Sequence, residues 1–90
     1  MYLQFIKIIQ FSLLVKAGDR LREFNFRKLK SPAEPEAFTV NVCDERGERI
    51  LFNMEKQDKE WKLSTGRYPQ WIIQTENRLH EAIEQELKNW

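Results

Sequence analysis

The sequence predicts an α+β fold: a four- or five-stranded antiparallel β-meander with one long C-terminal α-helix packed across one face. Three observations carry this. Between Ala37 and Leu63, apolar and polar residues alternate with period two on both sides of a Gly-containing turn, as in a hairpin with one buried face. Between Tyr68 and Trp90 the apolar residues recur at steps of mostly three, four or seven, as in an amphipathic helix. The connections between strands are short, so neighbouring strands pair antiparallel.

Residues 2–8 (YLQFIKI) are apolar, but the run is too short to settle its period and reads as either helix or strand. Ile9, Phe11, Leu13 and Val15 then alternate with Gln10, Ser12 and Lys16, which gives a strand over 9–16. Leu14 is its one apolar residue of outward parity. Gly18 supplies the turn, being free to take positive φ. A second strand, over 20–30, sets Phe24 and Phe26 against Glu23, Asn25 and Arg27. Leu21 and Leu29 share the polar parity, which implies edge positions or a bulge near one end. Ser31 to Glu36 carries two prolines in six residues and cannot be a central strand.

Phe38, Val40 and Val42 mark a third strand (37–44), and Ile50, Phe52 and Met54 a fourth (48–56), with Asp44-Glu45-Arg46-Gly47 between them. A charged turn, EKQDKE, leads to Trp61 and Leu63 in a fifth (60–63). Pro69 suits a first helical turn. Tyr68, Ile72, Leu79, Ile83, Leu87 and Trp90 then form the stripe of a helix over 69–88. The expected inner set runs from Phe11, Leu13 and Val15 through Phe24, Phe26, Phe38, Val40, Val42, Ile50, Phe52 and Met54 to Trp61 and Leu63.

Ninety residues make a single domain over 1–90, with 41% hydrophobic and 32% charged residues, as in ordinary globular chains. Fifteen basic and 14 acidic residues leave a formal charge of +1, so no global field steers nucleic acid or an anionic membrane. Cys43 is the only cysteine, which excludes an intrachain disulfide and suits a cytoplasmic location. The apolar N-terminus lacks a basic n-region and a small-residue cleavage site. It is also interrupted by Gln4, Lys7 and Gln10, so it reads as part of the fold rather than a membrane segment.

No catalytic, cofactor-binding or metal-binding motif is present, and the chain is expected not to be an enzyme. Glu76, His80 and Glu84 lie on one helix ridge. Three ligands in line on one helix do not converge on an ion, so the ridge reads as a solvated face. Cys43 precedes Asp44 and Glu45, which oppose thiolate formation.

Two functional readings remain. Arg20, Arg22, Arg27, Lys28 and Lys30 are interleaved with Phe24 and Phe26, a composition that suits single-stranded nucleic acid. A meander followed by one long helix is similar in topology to the repeat of the Pur-alpha and Whirly-type single-strand binders, and that resemblance implies such a binding module. Parity argues the other way, because the aromatics share the core face and leave the open face polar. The second reading is a non-enzymatic interaction domain, a homodimer or a protein-binding module. Phe5, Ile6, Ile8, Leu14 and Leu51 are apolar residues beyond what one helix can cover, and such surfaces usually mark partners.

Overall fold

The structure, a computed structural model, describes residues 7–30 and 37–89. Five strands follow one another in sheet order as well as chain order: β1 (Lys7–Ala17), β2 (Arg20–Lys30), β3 (Ala37–Cys43), β4 (Arg49–Gln57) and β5 (Glu60–Leu63). Every neighbouring pair is antiparallel. The α+β meander expected from the alternation is the fold observed. The Phe5 and Ile6 expectations, the 31–36 connection and Trp90 lie outside the described residues, as do the side chains of Leu29 and Lys30.

Each turn has a local cause. β1 and β2 meet at Gly18-Asp19, with Gly18 at φ 72°. Positive φ at the first central residue alone is what a type II′ turn requires, and only glycine takes it without strain. Between β3 and β4, Asp44 Oδ1 accepts the N–H groups of Arg46 and Glu48, and Gly47 sits at φ 81°. The last hairpin turns on Asp58 (φ 51°) and Lys59 (φ 72°), both positive as in a type I′ turn but with no glycine to relieve them.

The β1–β2 register runs unbroken from Lys7↔Lys30 to Ala17↔Arg20. No bulge accounts for Leu21: it stands on the outer face of the hairpin, 63% exposed, where β2 runs beyond its ladder with β3. Inward residues match the alternation. Ile9, Phe24, Phe26, Phe38, Val40, Val42, Phe52, Met54 and Trp61 are buried, with Phe11, Val15, Ile50 and Leu63 partly so. Leu13 is the exception among the expected inner set and remains 36% exposed. Phe11 stacks on Phe26 at 4.6 Å, and Phe38 meets Phe11, Phe26 and Trp61 edge to face. Such pairs add about 0.5–1.5 kcal/mol each beyond area burial.

The expected single helix is two: α1 (Gln70–Ile73) and α2 (Glu76–Leu87). Thr75 explains the interruption. Its hydroxyl donates to the Trp71 carbonyl, while its own N–H goes to Ile72 instead. A threonine that takes the i−4 carbonyl with its side chain bends the helix at that point. Pro69 stands at the N-cap of α1, and its carbonyl accepts from Ile72 and Ile73. Ile72, Leu79 and Ile83 are buried, as the stripe requires.

α2 packs against β5 and β1, the two outermost strands of the sheet. One helix can reach both only if the sheet curls toward itself. The inner side chains therefore line a concave face, and α2 spans its mouth.

Candidate functional site

The two edges of the sheet are treated differently. In an antiparallel strand a residue's N–H and C=O point to the same side, alternating along the chain. On β5 the outward amides belong to Trp61 and Leu63. Trp61 N–H donates to His80 Nδ1 at 2.9 Å, and Leu63 N–H donates to Glu76 Oε2 at 2.8 Å. Two strand residues advance about 6.8 Å and four helical residues about 6.0 Å, so an i, i+4 pair on an adjacent antiparallel helix matches alternate edge amides. The Glu76/His80 ridge is thus not the solvated face the sequence suggested. It closes the β5 edge, with the imidazole presenting its Nδ1 lone pair.

At β1, Arg78 Nη1 donates to the Lys16 carbonyl at 2.7 Å. That bond shows that the even-numbered residues of β1 turn their backbone groups outward. Among the described residues, no hydrogen bond reaches the outward groups of Ile8, Gln10, Ser12 and Leu14. The same residues direct their side chains to the convex face, where Ile8 is 42% and Leu14 66% exposed.

Across the convex face runs a polar ladder. Ser12 Oγ donates to Asn25 Oδ1, Asn25 Nδ2 to Asn41 Oδ1 at 2.9 Å, and Arg49 Nη1 to the same Asn41 oxygen. Leu51, 66% exposed, pairs with Asn41 on the far side of this ladder from Leu14. The two leucines are both outward but do not form one patch. Leu21 is a second apolar residue near Leu14, diagonal to it across the β1–β2 register.

Of the five basic residues named as nucleic-acid ligands, the four with described side chains do not form one surface. Arg27 and Arg20 are exposed, with Arg20 3.7 Å from Asp19. Lys28 is buried on the concave side. Arg22, with its side chain only 6% exposed, is a structural clamp. Its Nε donates to the Ala17 carbonyl at 3.1 Å, its Nη1 to the Cys43 carbonyl, and its Nη2 to Glu45. The guanidinium lies 3.9 Å from the Trp71 ring centroid. Arg22 and Lys28 share the parity of Phe24 and Phe26, a signal the sequence already held. The hydrogen bond from Arg22, above all, holds the Glu45 carboxyl below the usual carboxylate range.

A shallow polar depression of about 210 Å³ lies between Leu21, Glu23, Cys43 and Arg49 on the convex side, and the Cys43 thiol is exposed there. Among the described residues no group of three or more His, Cys, Asp or Glu side chains could hold a metal ion. None of the described helices is long and apolar enough to cross a membrane.

Compared with known proteins, the chain matches no protein family, no curated protein and no solved structure. The likeness to Pur-alpha and Whirly-type repeats is therefore one of element order alone.

Proposed function

We propose that this chain is a non-enzymatic interaction domain whose partner is a second copy of itself, working in a reducing compartment such as the cytoplasm. The observation that carries this is the contrast between the two sheet edges. The β5 edge is closed by Glu76 and His80, whereas four successive outward positions of β1 receive no hydrogen bond from any described residue. An open strand edge is a template for another strand unless the chain blunts it. The devices that blunt edges, inward-pointing charge, proline or a bulge, are missing from Ile8 to Leu14. A lone exposed cysteine suits a compartment in which thiols stay reduced.

Nucleic-acid binding is less well supported, because Arg22 is committed to four groups of its own fold and Lys28 is buried. Sedimentation equilibrium at micromolar concentration tests the proposal. Twice the chain mass is expected, shifting toward the monomer for Leu14→Glu, since a charge beside an apolar cross-strand neighbour weakens the pairing. A monomer across the whole accessible concentration range would refute it.

A further inference from the structure

Resting on that reading, we infer that two copies pair β1 to β1 antiparallel, in the register centred on Phe11, to make one continuous ten-stranded sheet. A two-fold axis makes residue i of one copy face residue j of the other with i + j constant. The outward backbone groups on both copies belong to even-numbered residues, so the constant is even and one β1 residue faces its own copy across the axis. Three such registers keep the middle of the strand paired.

Centred on Gln10, the register sets Ile8 against Ser12. Centred on Ser12, it sets Ile8 against Lys16 and Leu14 against Gln10. Centred on Phe11, it sets Ile8 against Leu14 twice and Gln10 against Ser12 twice. Only this last arrangement sets the two exposed apolar residues of the β1 edge, Ile8 and Leu14, opposite each other and the polar Gln10 and Ser12 opposite each other, the pairing that stabilises neighbouring strands. On the concave side the same register lays Leu13, which its own chain leaves 36% exposed, beside Ile9 of the second copy. The hydrogen bond that ties α2 to β1, from Arg78 to the Lys16 carbonyl, lies beyond the paired stretch.

Disulfide trapping reads the register directly. In a Cys43→Ser background, Gln10→Cys and Ser12→Cys each add one exposed thiol. Opposed residues of a hydrogen-bonded pair have Cα atoms about 5.5 Å apart, within bridging range, whereas positions two residues out of register lie about 9 Å apart, beyond it. Circular dichroism confirms that both variants fold. The two proteins are mixed, allowed to exchange subunits and oxidised mildly.

The expected result is a covalent heterodimer from the mixture, at least tenfold more abundant than the homodimer from either protein alone. A 10–10 or 12–12 homodimer in excess would overturn this register in favour of its neighbours. A dimeric mass with no cross-link at either position would overturn the β1 interface and leave self-association standing. A monomeric mass would overturn both.

Discussion

Replacing Glu76 by methionine keeps the length and apolar stem of the side chain, and its helix propensity, while removing the acceptor of the Leu63 N–H. A hydrogen bond to a charged group contributes about 1.5–3 kcal/mol. Glu76 is only partly buried, which places the loss toward the lower end, at about 1.5–2 kcal/mol. Its position in the first turn of α2 adds about 0.3–1 kcal/mol from the helix dipole, so the total is about 2–3 kcal/mol. Glu76→Gln keeps a neutral oxygen at the same place and is expected to cost about half as much, because charge-assisted bonds are roughly twice as strong as neutral ones. Glu81→Gln, on the exposed side of α2, serves as the control and stays within about 0.5 kcal/mol. At about 4–8 °C per kcal/mol for a domain of this size, thermal unfolding resolves all three. Amide exchange adds a site-specific readout: Leu63 N–H is protected in the parent protein and loses protection in the methionine variant. A methionine variant as stable as the control, or a parent Leu63 amide that exchanges like a free edge, would refute the closure of the β5 edge.

Asp58→Asn with Lys59→Gly places the residues a type I′ turn prefers at two positions of positive φ, and is expected to raise stability by about 1 kcal/mol in urea titration. Leu79→Ala and Ile83→Ala remove fully buried side chains and are expected to cost about 2–5 kcal/mol each in the same titration, against almost nothing for the exposed Gln74→Ala. The Glu45 carboxyl is held low by Arg22, so its ion pair stabilises the fold above the unfolded carboxylate pKa of about 4.3, and that contribution is lost as pH falls through the folded value. Stability measured between pH 6 and pH 3 is therefore expected to decline less steeply in Glu45→Gln than in the parent.

Where a residue's fate depends on its strand neighbours alone, the sequence was readable. Phe24, Phe26 and Val40 alternate with polar residues because a strand offers two faces, and those faces are the two that the sheet has. Gly18 and Gly47 mark turns for the same local reason. The helix break was less readable, since Thr75 can cap, back-bond or point to solvent, and only the burial of its surroundings selects among these. Glu76 and His80 were misread because their role belongs to a pairing between elements: no pattern within α2 says that β5 lies alongside with two amides to fill. Arg22 was misjudged for a different reason. Its parity was visible, but a charged residue on a core face needs a partner, and Glu45 comes from a loop more than twenty residues away.

The span of α2 from the last strand to the first has a consequence for the order in which the chain folds. Each hairpin of the meander joins residues close in sequence, so strand pairing can proceed locally, one hairpin after another. The contact between Arg78 and Lys16 joins residues 62 positions apart. It is formed only when nearly the whole chain is available, and its loop-closure entropy is offset only once the curled sheet already holds its ends near one another. Docking of α2 is thus a late event that covers the β5 edge and leaves β1 as the open edge. Before it occurs, the amides of Trp61 and Leu63 are as available to a foreign strand as those of β1.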